Sequence, residues 1–226
     1  MSDRKVAVVT GAAWGLGQQI CQQLVSIGYR VEEVDKAFGH DVADASGFPV
    51  FDRVDVLVNC AGVNRIAWLE DLAESTWDEV MDTNAKGIAA MTQALLPQLR
   101  ASGGTVLNIV SNASHVPMRG SAAYNASKGA AAILSKQMAR ELISDGITVF
   151  AISPNKLAGT GMSDDIDVQV QKTRGWTAQQ AREYQLAGLL TGKETDPDKL
   201  AEFIGFLLYS KERHEMLAGC DLQYGL

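Results

Sequence analysis

Cysteine is scarce in this chain: three residues in 226, Cys21, Cys60 and Cys220, far apart and without a C-x-x-C pair. That excludes a disulfide framework and a thiolate zinc site, and points to reduced, partly buried thiols. Histidine is equally sparse. His40, His115 and His214 show no metal-ligand spacing, so no metal is expected and surface or loop positions are the default, with His115 able to line a cleft from the loop after Ser111. No apolar run approaches the ~18 residues that span a bilayer. Linkers, repeats and low-complexity tracts are missing too, which implies one domain over residues 1–226. A net charge of -7 leaves no basic cluster for a nucleic-acid surface. The first strand begins within five residues of Met1, too close for a leader peptide, so a cytoplasmic protein without membrane attachment is expected.

What is present is apolar and periodic. With 46% hydrophobic residues the chain can build one sizeable core. Short apolar runs predict strands at 5–9, 30–34, 54–58, 104–110, 148–152 and 220–223, and helical periods cover 15–27, 75–100, 121–145 and 196–209. Strands alternating with helices predict an α/β fold with a doubly wound parallel sheet, covered on both faces. Ligands of such sheets bind at the carboxyl ends of the strands, where Gly11, Asp35, Asn59, Ser111 and Pro154 all fall.

Three residues carry acid-base chemistry. Tyr124 and Lys128 stand four apart, on one face of a helix, and Ser111 lies thirteen residues before the tyrosine. A neighbouring ammonium is expected to lower the pKa of the phenol from its usual value near 10, as suits a general acid or base for an alcohol. At the other end, Thr10-Gly11-Ala12-Ala13-Trp14-Gly15-Leu16-Gly17 links a strand to a helix, the context of a phosphate cradle. Asp35 closes the next strand, where a carboxylate accepts hydrogen bonds from an adenosine ribose and repels a 2′-phosphate. The indole of Trp14 cannot pair with that phosphate either. NAD is the expected cofactor, with NADP second.

Together these residues resemble the short-chain dehydrogenase/reductase family, whose fold is Rossmann-like. Asp41-Val42 is similar to its adenine-side Asp-Val pair, and Asn59-Cys60-Ala61-Gly62 to its Asn-Asn-Ala-Gly. The resemblance implies that Tyr124 exchanges the proton, Ser111 orients the carbonyl, Lys128 binds the nicotinamide ribose and favours the phenolate, and Asn84 holds a relay water. It also implies that Gly11, Trp14, Gly15, Leu16, Gly17, Asp35, Asp41, Val42, Asn59, Ala61, Gly62, Tyr124, Lys128, Pro154 and Thr160 line the cofactor site. The expected activity is interconversion of a secondary alcohol and a ketone.

Two departures stand out. Only 23 residues separate Asp35 from Asn59, so the sheet is shortened between the second and fourth family strands, with one helix missing and the next, near 44–51, reduced to a turn. The usual Pro-Gly is Pro154-Asn155, with Thr160 one place late. A polar lid over about 155–190, mobile over the cleft, resembles sugar-alcohol and sugar-phosphate dehydrogenases at 175–184 and implies a polyol or its phosphate as substrate. The departures also suit an NAD-binding regulator or assembly protein without turnover, and a more apolar ketone is the other substrate reading. A homo-oligomer, dimer or tetramer, is implied, with Ala89, Ala90, Ala94, Ala130, Ala131 and Ala132 allowing close helix approach.

Overall fold

In the computed structural model, which describes residues 4–225 apart from the side chains of Ala45, Arg213 and His214, the apolar runs form six strands. The expectation for His214 lies outside the described residues. The strands are β1 (Val6–Thr10), β2 (Arg30–Val34), β3 (Val56–Asn59), β4 (Thr105–Ile109), β5 (Thr148–Pro154) and β6 (Asp221–Tyr224). They pair in parallel in the order β2-β1-β3-β4-β5-β6. The four central strands are buried at every position, as continuous apolar runs between two helical layers require, whereas the edge strands β2 and β6 are partly open.

Alternation along the strands divides the core. Val9, Val58, Phe150 and Ile152 pack on Ile20 and Leu24 of α1 (Gly15–Ser26) and on Leu200 and Ile204 of a late helix, Pro197–Leu208. Val8, Leu57, Val106 and Val149 face the opposite layer. There they meet Met91, Leu95 and Leu99 of one long helix and Ala131, Met138 and Leu142 of another, Ala122–Leu142. Since β2 and β3 flank β1, the winding reverses at β1, and the crevice at its carboxyl end is the natural ligand site.

The expected helix over 75–100 is not continuous. It is α2 (Glu74–Met81), a single wider π-turn over Asp82–Lys86, and α3 (Gly87–Ser102). Such turns inside helices often mark functional positions, and this one turns Thr83, Asn84 and Ala85 inward. The next long helix is α4 (Ala122–Leu142). Between Asp35 and Asn59 the chain forms only two three-residue helical turns, Lys36–Phe38 and Ala45–Gly47, before entering β3. Phe48 and Phe51 then cover the α3 side of the core, so the short connection still shields apolar surface.

The segment expected to form the lid, about 155–190, contains a helical hairpin, α5 (Gly161–Arg174) and α6 (Ala178–Ala187). Local chemistry explains this: the Thr160 side chain caps α5, and Thr177 with Gln180 forms a reciprocal capping box on α6. The chain ends with α7 (Pro197–Leu208), α8 (Lys211–Glu215) and β6. No described helix is long and apolar enough to cross a membrane.

Candidate active site

The three residues expected to be catalytic come together at the end of β4. Ser111 follows that strand and caps the turn Asn112–Ser114, its hydroxyl accepting from the Ala113 amide at 3.1 Å. Tyr124 and Lys128 lie in the first turns of α4, both buried, 8% and 5% exposed. Lys128 Nζ donates to the Ile109 carbonyl at 3.0 Å and stands 5.8 Å from the Tyr124 ring centroid. Burial reverses the expected direction for the phenol. Its pKa is raised by loss of hydration, opposed by hydrogen bonding from Ser111, rather than lowered by the lysine. The same loss of hydration pushes Lys128 down to about 8.

Asn84 joins this group from the π-turn. It is fully buried; its Oδ1 accepts from Val63 N at 2.8 Å, and its Nδ2 donates to the Val63 carbonyl at 2.8 Å and to Ser127 Oγ at 3.0 Å. Both donors of the amide are thus engaged by protein groups, one of them on the serine just before Lys128. Ser127, overlooked in the sequence, passes its own hydrogen to the Tyr124 carbonyl at 2.8 Å.

The glycine turn meets the exit of β3. Gly11 takes φ +67°, and a Cβ there would stand 2.7 Å from Ala61 Cα, so only glycine permits this approach. Thr10, another residue overlooked in the sequence, locks the same junction: its hydroxyl accepts from the amides of Cys60 at 3.0 Å and Ala61 at 3.1 Å. Asp35 stabilises the turn from β2. Its carboxylate accepts from Ala13 N at 3.1 Å and from Ala37 N at 2.9 Å. Lys36 pairs with Asp41 at 3.1 Å. Together Gly11, Asp35, Lys36, Asp41, Ala61 and Gly62 line a groove of about 130 Å³, with Val42 and Thr83 also in its wall.

The remaining positions divide. Leu16 and Gly17 are buried in the first turn of α1, and Gly15 packs on Thr160, whose Cβ lies 3.5 Å from where a Cβ on Gly15 would be. Trp14 sits at the start of α1 but is 74% exposed, its indole outside the groove wall. Asn59 turns into the core, donating to Asn108 at 2.8 Å and Thr92 at 3.3 Å, with Oδ1 left without a protein partner. Pro154 ends β5 beside Tyr224, and Asn155 donates to the Gly225 carbonyl at 2.8 Å, which fastens β6 where the family has glycine. His115 does not stand free: it pairs with the buried carboxylate of Asp221 at 2.9 Å, which also accepts from Ser153 at 2.6 Å.

The chain is similar to known proteins over most of its length. The family model described as short chain dehydrogenase matches residues 42–171. A 3-oxoacyl-[acyl-carrier-protein] reductase FabG of Staphylococcus aureus is 34% identical over 245 residues, covering 95% of this chain and 94% of that protein. A D-threitol dehydrogenase of Mycolicibacterium smegmatis is 35% identical over 181 residues, 67% of this chain and 70% of that one. Among solved structures, a single-residue variant of the actinorhodin polyketide ketoreductase with NADPH superposes with a TM-score of 0.87 at 25% identity, covering 98% of this chain and 96% of that one. The chain belongs to the short-chain dehydrogenase family and is an oxidoreductase of hydroxyl and carbonyl groups.

Proposed function

We propose that the protein is an NAD(H)-dependent oxidoreductase that interconverts a secondary alcohol and a ketone on a small polar hydroxy compound, a polyol or its phosphate. The observation that carries this reading is the convergence of Ser111, Tyr124 and Lys128, with Gly62 beside the lysine. A Cβ on Gly62 would enter a gap 3.4 Å from Asn84 Oδ1, 3.7 Å from Lys128 Nζ and 3.9 Å from Met162 Cε, so glycine keeps open the space in front of the lysine. That gap continues into the groove that holds Gly11, Asp35 and Asp41, which fits a dinucleotide lying from the phosphate turn to the catalytic lysine. A nicotinamide bound there supplies or accepts the hydride.

The chain's own residues handle the proton. Burial keeps the Tyr124 phenol protonated at neutral pH, so it donates to a ketone oxygen, and Ser111 orients that oxygen while limiting the cost of the phenolate left behind. Lys128, when charged, favours that phenolate and offers its remaining hydrogens to a ribose hydroxyl. Asn84 positions the loop at Val63 and the helix at Ser127 around it. Residues 155–190 act as the lid, within one catalytic domain. The relative named as a threitol dehydrogenase supports the polyol reading.

Asp35 and Asp41 outnumber Lys36 at the ribose end, and a 2′-phosphate there meets net negative charge. NADPH is the second reading, favoured by Lys36 at the groove and by the NADPH of the ketoreductase neighbour. The three free thiols suit the reducing cytoplasm. An apolar groove of about 470 Å³ between α3 and α4, with Ala89, Ala130, Ile133 and Leu134, suits a second copy of the chain. Ala131 and Ala132 do not reach it, because their small side chains pack inside their own core.

Tyr124→Phe should lower ketone-dependent oxidation of NADH by about a hundredfold to ten-thousandfold while the variant still binds NADH; unchanged turnover rejects the mechanism. For cofactor choice, NADH should bind more tightly than NADPH in a fluorescence titration, and Asp35→Ala should narrow the gap. Comparable affinities in the unmodified protein reject that preference. Lys128 gives a pH signature. Its pKa is lowered on folding, so the unfolded chain holds the proton between about pH 8 and 10.5 and stability gains with pH in that window. In a Cys60→Ala background, which removes the thiol whose own pKa responds to Lys128, denaturant midpoints should therefore rise with pH relative to Lys128→Met between pH 7.5 and 9.5, the raised pKa of Cys21 cancelling in the comparison. Parallel curves would contradict the buried cation. Ile133→Glu, on an exposed side chain of the groove, should shift sedimentation toward monomer; a monomeric unmodified protein removes the oligomer.

A further inference from the structure

The lid carries a cluster that the proton and hydride chemistry does not use. Arg174, the last residue of α5, places its guanidinium carbon 4.3 Å from the Tyr184 ring centroid, 4.7 Å from that of Trp176 and 5.9 Å from that of Trp68. Trp176 and Tyr184 pack edge to face at 5.2 Å. Trp68 donates its indole hydrogen to the Thr173 carbonyl at 3.2 Å. A second guanidinium, that of Arg119, stands 5.9 Å from the same Trp68 ring, and Arg174 Nη2 donates to the Arg119 carbonyl at 3.1 Å.

Two cations from separate segments therefore share one indole. Like charges around one ring repel in a partly desolvated setting unless something negative joins them. The chain holds 27 acidic residues, yet among the described residues no carboxylate lies within 4 Å of either guanidinium, while other arginines, Arg53, Arg65, Arg100 and Arg182, are paired. Arg174 Nε is also buried without an acceptor. The aromatic faces hold the Arg174 guanidinium in place, and apart from the Nη2 bond to the Arg119 carbonyl no acceptor among the described residues takes its hydrogens, which leaves donors for a two-oxygen anion.

Position ties the cluster to the cleft. Trp68 belongs to the segment leaving Gly62, Ala67 bridges to Ser121, and Ser121 lies one helical turn before Tyr124. We propose that Arg119 and Arg174 form an anion subsite that holds a carboxylate or phosphate of the substrate while the reacting carbonyl lies at Tyr124. This rests on the oxidoreductase reading above and narrows its substrate class to anionic hydroxy and oxo compounds.

The alternative is an aromatic staple that only closes the lid, and matched substrates separate the two. Initial rates with reduced nicotinamide are measured for dihydroxyacetone against dihydroxyacetone phosphate, and for methyl 4-oxopentanoate against 4-oxopentanoate, the two pairs distinguishing phosphate from carboxylate. The charged member of at least one pair should show a KM about tenfold or more below its neutral partner, and Arg119→Ala and Arg174→Ala should each cut the charged-to-neutral ratio of kcat/KM about tenfold. Arg119 is exposed, so its variant remains informative even if Arg174→Ala fails to fold. A ratio near one in both pairs, or a ratio unmoved in Arg119→Ala, overturns the subsite and leaves the oxidoreductase reading standing. If no ketone is turned over, that reading fails instead. The subsite is then decided by tryptophan fluorescence during titration of the cofactor-free protein with dihydroxyacetone phosphate and with 4-oxopentanoate. A saturable change lost in Arg119→Ala supports it, and no saturable change with either overturns it.

Discussion

The Asn84 amide holds the centre of this protein together. Its three hydrogen bonds reach across the segment leaving β3, at Val63, and the helix that bears Tyr124 and Lys128, at Ser127. No other described side chain joins the π-turn to both. The amide is fully buried, so its loss strands groups that cost about 1–3 kcal/mol apiece when unsatisfied. The π-turn follows from this requirement. A regular helix through 82–86 would place residue 84 at a different angle, and the wider turn rotates it inward between its partners.

Around that anchor the side chains of Tyr124 and Lys128 are buried, and burial sets their protonation. Burial moves the phenol up and the ammonium down, each toward its neutral form. The two shifts have one cause and opposite consequences. A protonated phenol is a hydrogen-bond donor at neutral pH, while a lysine whose pKa is about 8 changes charge readily when negative charge develops beside it. Ser111 is a counterweight, since its hydrogen bond lowers the phenol pKa that burial raises. Ser111 can do so because its backbone is pinned at the end of β4, where it also caps the following turn.

Much of this was legible in the chain itself, and what was not shares one property. Ser111, Tyr124 and Lys128 could be read because their relation is local: four residues along a helix and a short loop before it. The parallel sheet was readable from buried runs such as Val56–Asn59 and Thr148–Pro154, whose apolar character needs two covered faces. By contrast, the bond from Asp35 to Ala13 spans 22 residues and joins a side chain to a backbone amide, which no periodicity encodes. The carboxylate that the motif assigns to a ribose is a structural clamp in this fold. The break in the helix over 75–100 escaped for the same reason, because the demand for a π-turn comes from Val63 and Ser127, not from the sequence of 82–86.

The shortened side of the sheet shows how these long-range ties allow a helix to be lost. A missing helix normally exposes the strand it covered, and β2 is indeed open or partly open over Arg30, Val31, Glu32 and Glu33, yet Val34 at its carboxyl end remains fully buried. Asp35 secures that end twice, to the glycine turn and to the Lys36–Phe38 turn, and Lys36 is in turn held by Asp41. Val42 then packs under α3, where Gly87 leaves room for it: a Cβ on Gly87 would meet Val42 Cγ2 at 2.9 Å. Residues 35–42 thereby carry the chain from the strand to the core with no more helix than that one short turn. What they preserve is the carboxyl end of β1 and β2, the part of the sheet that faces the groove. The shortening lies at the outer edge of the sheet, beyond β2, whereas the segments converging on Asn84 lie on the other side of β1.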